Sequence, residues 1–149
     1  MLYLIRHGEA QSAQQKDAQR PLSDRGRREA EQTARWVADR GAAVSQIRHS
    51  GRLRARQTAE ILARYWTPAG GVIAVPGLEP EDDVETAAAI HSNDGAVALV
   101  GHLPFLGRLA GLLLFRDPDR SPVTFGTGTL AVLECADGCW RVVDRFTPN

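Results

Sequence analysis

Hydrophobic residues follow two alternating patterns along the chain: short apolar runs, and longer stretches with helical periodicity. The short apolar runs are typical of buried strands. They predict strands at residues 2–5, 44–49, 72–75, 96–100, 129–134 and 140–146. The last two runs flank Asp137-Gly138, a dipeptide that favours tight turns, and so they predict a terminal hairpin.

Between these runs, apolar residues recur every three or four positions, as on one face of a helix. The clearest stretch contains Ala30, Ala34 and Val37, starts after the capping residue Ser23 and stops at Gly41. The same pattern predicts further helices at residues 53–65, 81–90 and 104–114. Residues 8–20 are polar and lack periodicity, which indicates a loop.

Strands that alternate with helices predict an α/β fold with a mostly parallel sheet. We expect a three-layer α/β/α sandwich, with the terminal hairpin as an antiparallel C-terminal edge. A chain of 149 residues without repeats or an interdomain linker is expected to form a single domain over residues 1–149.

Composition narrows the possible classes of protein. Hydrophobic residues make up 43% and charged residues 24%, which excludes collagenous, wholly disordered and coiled-coil chains. The 18 basic and 18 acidic side chains balance, so nucleic-acid binding, which needs a strongly basic surface, is not expected. No apolar run is long enough to span a membrane, and the N-terminus lacks signal-peptide features. We therefore expect a cytoplasmic domain that does not bind membranes.

Cysteine and histidine spacing gives no sign of a metal site. Cys135 and Cys139 flank the hairpin turn, and free thiols are the expectation for a cytoplasmic domain. There is no Cys-x-x-Cys motif, and the four histidines include no helical pair four residues apart. We predict no metal and no cofactor.

Two predicted strands each end in a histidine. The first runs into Arg6-His7-Gly8-Glu9, and the fourth into Gly101-His102-Leu103-Pro104. In an open parallel sheet, ligands bind outside the carboxyl ends of the strands. Glycine beside each histidine permits close backbone approach, so His7, His102 and Gly8 become candidate site residues.

An arginine-rich segment, Ser50-Gly51-Arg52-Leu53-Arg54-Ala55-Arg56-Gln57-Thr58, follows the second strand and opens the second helix. A helix start offers free amide donors and partial positive charge, which suit an anion. Its arginines cannot all point inward. We predict that Arg54 reaches the site and that most of the nearby arginines Arg48, Arg52, Arg56 and Arg64 lie on the solvated surface.

These ordered motifs resemble the histidine phosphatase superfamily, also called the phosphoglycerate mutase-like family. The resemblance rests on Arg6-His7-Gly8-Glu9, the segment from Arg54 to Thr58, and Gly101-His102, and it extends over residues 1–146. Within that family, the short length, Arg20-Pro21-Leu22-Ser23 and the sequence after Gly101 look most like bacterial SixA-type phosphohistidine phosphatases. The implied fold is phosphoglycerate mutase-like.

The resemblance implies a role for each motif residue. His7 would be the nucleophile that forms a covalent phosphohistidine, and Arg6 and Arg54 would clamp the phosphoryl oxygens. His102 would donate a hydrogen bond to the charge that develops in the transition state. Arg20 would add a phosphate contact, although a surface loop arginine remains an equal alternative, and Gly8 would belong to the substrate-binding set.

Two features depart from the family pattern. Ser50-Gly51 stands where Ser-Pro is usual, which affects the turn that positions Arg54. Larger members carry an acidic residue on an inserted segment that protonates the leaving group, whereas residues 66–83 are short here. Glu79 is the candidate acid and a possible substrate contact, but capping and charging the next helix is the favoured interpretation of this acidic stretch.

The expected activity is hydrolysis of phosphohistidine, an N–P bond, on a partner protein such as a phosphotransfer domain. Imidazole can be protonated before it leaves, so this substrate depends less on a dedicated acid than an alkyl phosphate does. One alternative is a promiscuous phosphomonoesterase that acts on small phosphorylated substrates with Glu79 as acid. Another is a phosphate- or phosphoprotein-binding module without turnover.

Overall fold

The computed structural model describes residues 1–12 and 16–149. Part of the predicted 8–20 loop, residues 13–15, therefore lies outside the described residues. In chain order the elements are β1 (Leu2–Arg6), a 3₁₀ turn (Asp17–Gln19), α1 (Asp24–Asp39), β2 (Gln46–His49), α2 (Leu53–Trp66), β3 (Val72–Ala74), α3 (Val84–His91), β4 (Val97–Gly101), α4 (Phe105–Phe115), β5 (Leu130–Ala136) and β6 (Cys139–Phe146).

The strands form one sheet in the order β3-β2-β4-β1-β5-β6. The pairs β3–β2, β2–β4 and β4–β1 are parallel, whereas β5 runs antiparallel to both β1 and β6. Both residues of the β5–β6 turn, Asp137 and Gly138, have positive φ, as a two-residue hairpin turn requires. The prediction of a mostly parallel sheet with an antiparallel C-terminal edge is confirmed.

Side-chain alternation along β1 separates two apolar cores. Tyr3 and Ile5 pack in the core that contains α1 and α2, while Leu2 and Leu4 pack in the core that contains α3 and α4. Successive side chains of a strand point to opposite faces, so the sheet is covered on both sides. The predicted α/β/α sandwich is confirmed.

The third helix begins later than predicted. Residues 81–83 precede α3, because Asp83 caps it by accepting hydrogen bonds from the amides of Glu85 and Thr86. Helical periodicity marks the buried face of a helix but not its first turn, so the pattern places the acidic residues before Val84 within the helix. The other predicted elements are present, with boundary shifts of one or two residues.

Two further findings concern the cysteines and the length of the helices. Cys135 and Cys139 are exposed free thiols, as predicted. Among the helices of residues 1–12 and 16–149, none has the length and apolar character needed to cross a membrane.

Candidate active site

Three parallel strands that are neighbours in the sheet end at the same edge. His7 follows β1 and His102 follows β4, and these strands pair with Arg6 opposite Gly101. Their rings lie 5.1 Å apart between centroids. Ser50 is the first residue after β2, and β2 pairs with the other edge of β4. The topology therefore brings together residues that lie far apart in the sequence.

The His7 ring is fixed by groups of known hydrogen-bonding character. Nδ1 lies 2.7 Å from the carbonyl oxygen of Gly8, which can only accept, so Nδ1 carries the proton. Arg54 Nε, which can only donate, lies 3.4 Å from His7 Nε2. This second nitrogen is therefore unprotonated, with its lone pair available.

The neutral state of His7 is stabilised by its surroundings. Burial is the largest cause that lowers the pKa of His7; together with the positive charges of Arg54, Arg6 and Arg20, and against the opposite effect of the Gly8 carbonyl, it brings this pKa to about 4. The imidazole is consequently neutral near neutral pH, with its single proton on Nδ1.

Glycine at position 8 is required by backbone packing. A Cβ atom there would lie 2.4 Å from the carbonyl oxygen of Gly26 in α1, closer than atoms can approach. The Gly8 amide also donates to Oγ1 of Thr58 at 3.0 Å. The close approach that requires glycine is therefore to α1, and the Gly8 carbonyl orients His7.

Three arginines line one cavity with both histidines. Its volume is about 320 Å³, and its lining residues are Arg6, His7, Glu9, Ala10, Arg20, Arg54, Pro80, His102, Leu103 and Thr127. Arg54 is buried, as predicted. Arg6 donates from Nη1 to the carbonyl of Phe125 at 2.9 Å, which fixes its guanidinium.

Asp17, which sequence reasoning missed, holds the arginines from outside this cavity. Its carboxylate pairs with Arg20 at 3.1 Å, with Arg54 at 3.2 Å and with Arg52, and its carbonyl accepts from Arg54 Nη1 at 2.8 Å. The hydrogen bond from Arg20 is the main cause that lowers the pKa of Asp17, so this side chain stays charged. Its position three residues before Arg20 was the available signal.

The burial of the arginines in and around the arginine-rich segment corrects one prediction. Arg56 and Arg64 are exposed as expected, but Arg48 and Arg52 are half-buried. Arg52 bridges Asp17 and Glu79, and Arg48 pairs with Asp94 at 2.9 Å. Apolar spacing on α2 could not reveal these acidic partners, because they come from other parts of the chain.

His102 is oriented by Ser50, another residue that the sequence reasoning did not assign to the site. Ser50 Oγ accepts from the Arg52 amide at 3.3 Å and lies 2.6 Å from His102 Nε2. Ser50 Oγ keeps a second lone pair, so the direction of this contact depends on which nitrogen of the His102 ring carries the proton. Burial is the largest cause that lowers the pKa of His102, and together with the positive charges of Arg54 and Arg52 it brings this pKa to about 3.

Two buried polar atoms in this cavity have no protein partner. In the described part of the chain, the buried side-chain nitrogen or oxygen atoms without a hydrogen bond are Arg6 Nε and His102 Nδ1. Leaving a buried donor unsatisfied costs roughly 1–3 kcal/mol. Both atoms belong to residues that line the cavity, and an anion there would supply the acceptor that the Arg6 Nε–H lacks.

The carboxylates near the cavity are engaged elsewhere. Glu79, the candidate acid, pairs with Arg52, and its residue is not part of the cavity lining. Glu9 lines the cavity, and its Oε1 accepts from Ser23 Oγ at 3.0 Å. Across residues 1–12 and 16–149, no group of three or more His, Cys, Asp or Glu side chains is arranged to hold a metal ion.

Comparison with known proteins agrees with this arrangement. The model of the histidine phosphatase superfamily (branch 1) matches residues 2–79, which is more than half of the chain. A curated relative, phosphohistidine phosphatase SixA of Escherichia coli (strain K12), is 29% identical over 135 residues, which cover 87% of this chain and 82% of the relative.

Solved structures share the whole fold. The structure of the protein histidine phosphatase SixA complexed with tungstate has a TM-score of 0.87 and 25% identity, covering 99% of this chain and 96% of that one. The alpha-ribazole phosphatase from Shigella flexneri has a TM-score of 0.76 at 17% identity, covering 99% and 95%, and is similar in fold alone. Together, the matched family model and the SixA relatives support a hydrolase of the phosphatase type. The chain belongs to the histidine phosphatase superfamily.

Proposed function

We propose that this protein hydrolyses phosphohistidine on a partner protein through a covalent phosphohistidine intermediate on His7. The observation that carries the proposal is the fixed tautomer of His7, with Nδ1 donating to the Gly8 carbonyl and an unprotonated Nε2 beside Arg54. A neutral ring nitrogen whose lone pair accepts only a long hydrogen bond, 3.4 Å from Arg54 Nε, can serve as the nucleophile that phosphoryl transfer needs. The SixA relatives, named for this activity, support the choice of substrate.

The proposed reaction has two displacements at phosphorus. In the first, His7 Nε2 forms a bond to phosphorus while the N–P bond of the substrate breaks, and the substrate imidazole leaves neutral because its other nitrogen carries a proton. In the second, water attacks phosphorus and the bond to His7 breaks. Inorganic phosphate is released and His7 returns to its starting form.

Positive charge around the nucleophile supports this chemistry. Arg6, Arg20 and Arg54 line the cavity and can bind the phosphoryl oxygens, whose charge is spread over three atoms in the transition state. The unpartnered Arg6 Nε supplies a further hydrogen bond to that charge. We propose that Ser50 donates to His102 Nε2, which puts the ring proton on Nδ1 and makes this unpartnered atom a second donor. We propose that these groups suffice for turnover without a metal ion, which predicts that a chelator leaves the rate unchanged.

The position of Glu79 favours phosphohistidine over an alkyl phosphate ester. An alkoxide leaving group needs a proton, and general acid catalysis typically contributes ~10²–10⁴-fold. Glu79 pairs with Arg52 and does not line the cavity, so the acid required by the phosphomonoesterase alternative is not at hand. Phosphohistidine does not need that acid.

The test compares phosphate release from a phosphohistidine-bearing protein and from para-nitrophenyl phosphate. For wild type we expect faster release from the phosphohistidine protein, and for His7→Ala none above background. Acid-labile, alkali-stable phosphate on the denatured protein, present in wild type and absent in His7→Ala, would identify the intermediate. Arg54→Ala should lower the rate at least about a hundredfold, whereas Arg56→Ala, an exposed arginine two residues later, is the matched control.

Each alternative has its own outcome. Faster turnover of para-nitrophenyl phosphate would favour the phosphomonoesterase. Phosphate binding without turnover, unchanged in His7→Ala, would favour the binding module, because binding requires only the arginines.

A further inference from the structure

A second cavity lies beside the cavity that contains His7 and His102 and is larger, about 790 Å³. The two cavities share Leu103, which follows His102 directly and is 38% exposed. The larger one, called here the side groove, is formed by the residues before α3, the first turns of α4 and the segment between α4 and β5. A molecule whose phosphoryl group lies at His7 can reach the side groove across Leu103.

The base of the side groove is apolar. Val84, Val123 and Phe125 are buried residues that line it, and Pro104 and Gly107 of the α4 region complete this surface. Such a surface gains little from a polar ligand but gains ~25 cal/mol for each Å² of apolar area that a partner buries.

The rim of the side groove is acidic. Four carboxylates line it, Glu81, Asp82, Asp83 and Asp119, against the single arginine Arg108. Arg108 is already paired with Asp119 at 3.0 Å. The cavity that contains His7 and His102 has the opposite charge balance, with three arginines and one carboxylate among its lining residues.

These two adjoining surfaces define a substrate of particular chemistry. We propose that the side groove binds the part of the phosphoprotein substrate next to the phosphohistidine, specifically an aliphatic or aromatic side chain with arginine or lysine beside it. This inference rests on the proposed function and adds a determinant of substrate choice. Charge complementarity selects the basic residues, and the apolar base selects the neighbouring side chain. A small anionic phosphate ester is repelled by the rim and cannot span both cavities.

Synthetic peptides that carry one phosphohistidine test this inference. One peptide has Leu-Arg-Arg a few residues from the phosphohistidine, the second has Leu-Glu-Glu and the third Ser-Arg-Arg, and the free amino acid phosphohistidine serves as the substrate without a groove ligand. We expect kcat/KM for Leu-Arg-Arg to exceed that for Leu-Glu-Glu by about tenfold or more, with Ser-Arg-Arg between them. The charge-dependent part should shrink in high salt.

Protein variants assign this preference to the side groove. Glu81→Lys should reduce the preference for Leu-Arg-Arg severalfold, and Glu85→Lys is the matched control, since Glu85 is an exposed acid in the same region that does not line the groove. Thr124→Trp fills the groove from an exposed position and should weaken both Leu peptides. All three variants should hydrolyse free phosphohistidine at the wild-type rate.

The outcomes separate the inference from the proposed function. Equal rates on the three peptides, or the same loss in Glu85→Lys as in Glu81→Lys, would overturn the side groove while leaving phosphohistidine hydrolysis intact. No hydrolysis of free phosphohistidine or of any peptide by wild type would refute the proposed function and the inference with it. Concentration-dependent dimerisation abolished by Thr124→Trp would show that a second copy of the chain occupies the groove, and would also overturn the inference.

Discussion

Thr58 offers a direct test of how His7, the proposed nucleophile, is positioned. Its side chain is fully buried, and Oγ1 accepts from the Gly8 amide at 3.0 Å while donating to the Arg54 carbonyl at 2.8 Å. Gly8 in turn orients His7 through its carbonyl. Thr58→Val keeps the shape of the side chain and removes the hydroxyl, whereas Thr58→Ser keeps the hydroxyl and removes a methyl group.

The two variants should cost similar stability for different reasons. In Thr58→Val the buried Gly8 amide loses its acceptor, which lowers the free energy of unfolding by about 1–3 kcal/mol. The Arg54 carbonyl lies within the helix and still accepts from the amide four residues later. In Thr58→Ser the loss of a buried methyl group lowers the same free energy by about 1 kcal/mol.

Their effects on catalysis should differ. Without its hydroxyl partner, the Gly8 peptide is free to shift, and a displacement of the nucleophile by about 1 Å can reduce the rate roughly a hundredfold. We expect kcat on a phosphohistidine substrate to fall at least about tenfold in Thr58→Val and to stay within about twofold of wild type in Thr58→Ser. Urea unfolding measures the stability of each variant. Equal kcat values for the two variants, at comparable stability, would refute the role of Thr58 in holding His7.

Three further predictions follow from the site. In an NMR titration, His7 of the free protein should titrate near pH 4, and at higher pH when inorganic phosphate is bound. The free energy of unfolding should fall as the pH drops from about 6.5 to about 4, because the unfolded chain takes up a proton in this range whereas folded His7 does not. Ser50→Ala should lower kcat about tenfold with little change in KM, since His102 loses the hydroxyl that we propose sets its tautomer; an unchanged kcat would contradict this. Glu79→Gln should leave the rate on phosphohistidine within about twofold of wild type, because Glu79 only pairs with Arg52; a fall of a hundredfold or more would identify it as the acid.

The parts of the site that could be predicted from sequence are those fixed by strand ends. A short apolar run predicts a buried strand, and parallel strands end at the same edge, so His7 and His102 could be brought together before any coordinates were known. Arg54 could be chosen among the arginines of its segment because apolar neighbours define the buried face of α2. These inferences require only local patterns and one topological rule.

The parts that could not be predicted depend on contacts between distant segments. Asp17 pairs with Arg52 and Arg54 from a polar stretch that shows no periodicity. Ser50 meets His102 only because β2 neighbours β4, and sequence order does not give the order of strands in the sheet. The side groove likewise joins three separate segments. Hydrogen bonds and charge pairs of this kind leave no periodic trace in a single sequence.

The electrostatics of the cavity link substrate binding to the reactivity of His7. In the free protein, burial and three arginines lower the pKa of His7, which keeps Nε2 unprotonated but also makes it a weaker base. A bound phosphoryl group brings negative charge to the same arginines and offsets their field at the ring, so the basicity of Nε2 rises once the substrate is in place. Asp17 already neutralises part of that field from outside the cavity, which leaves the inner faces of the arginines for the ligand. Under the proposed mechanism, His7 therefore stays neutral in the free protein and becomes a stronger nucleophile on binding, and an NMR titration with and without phosphate measures both states.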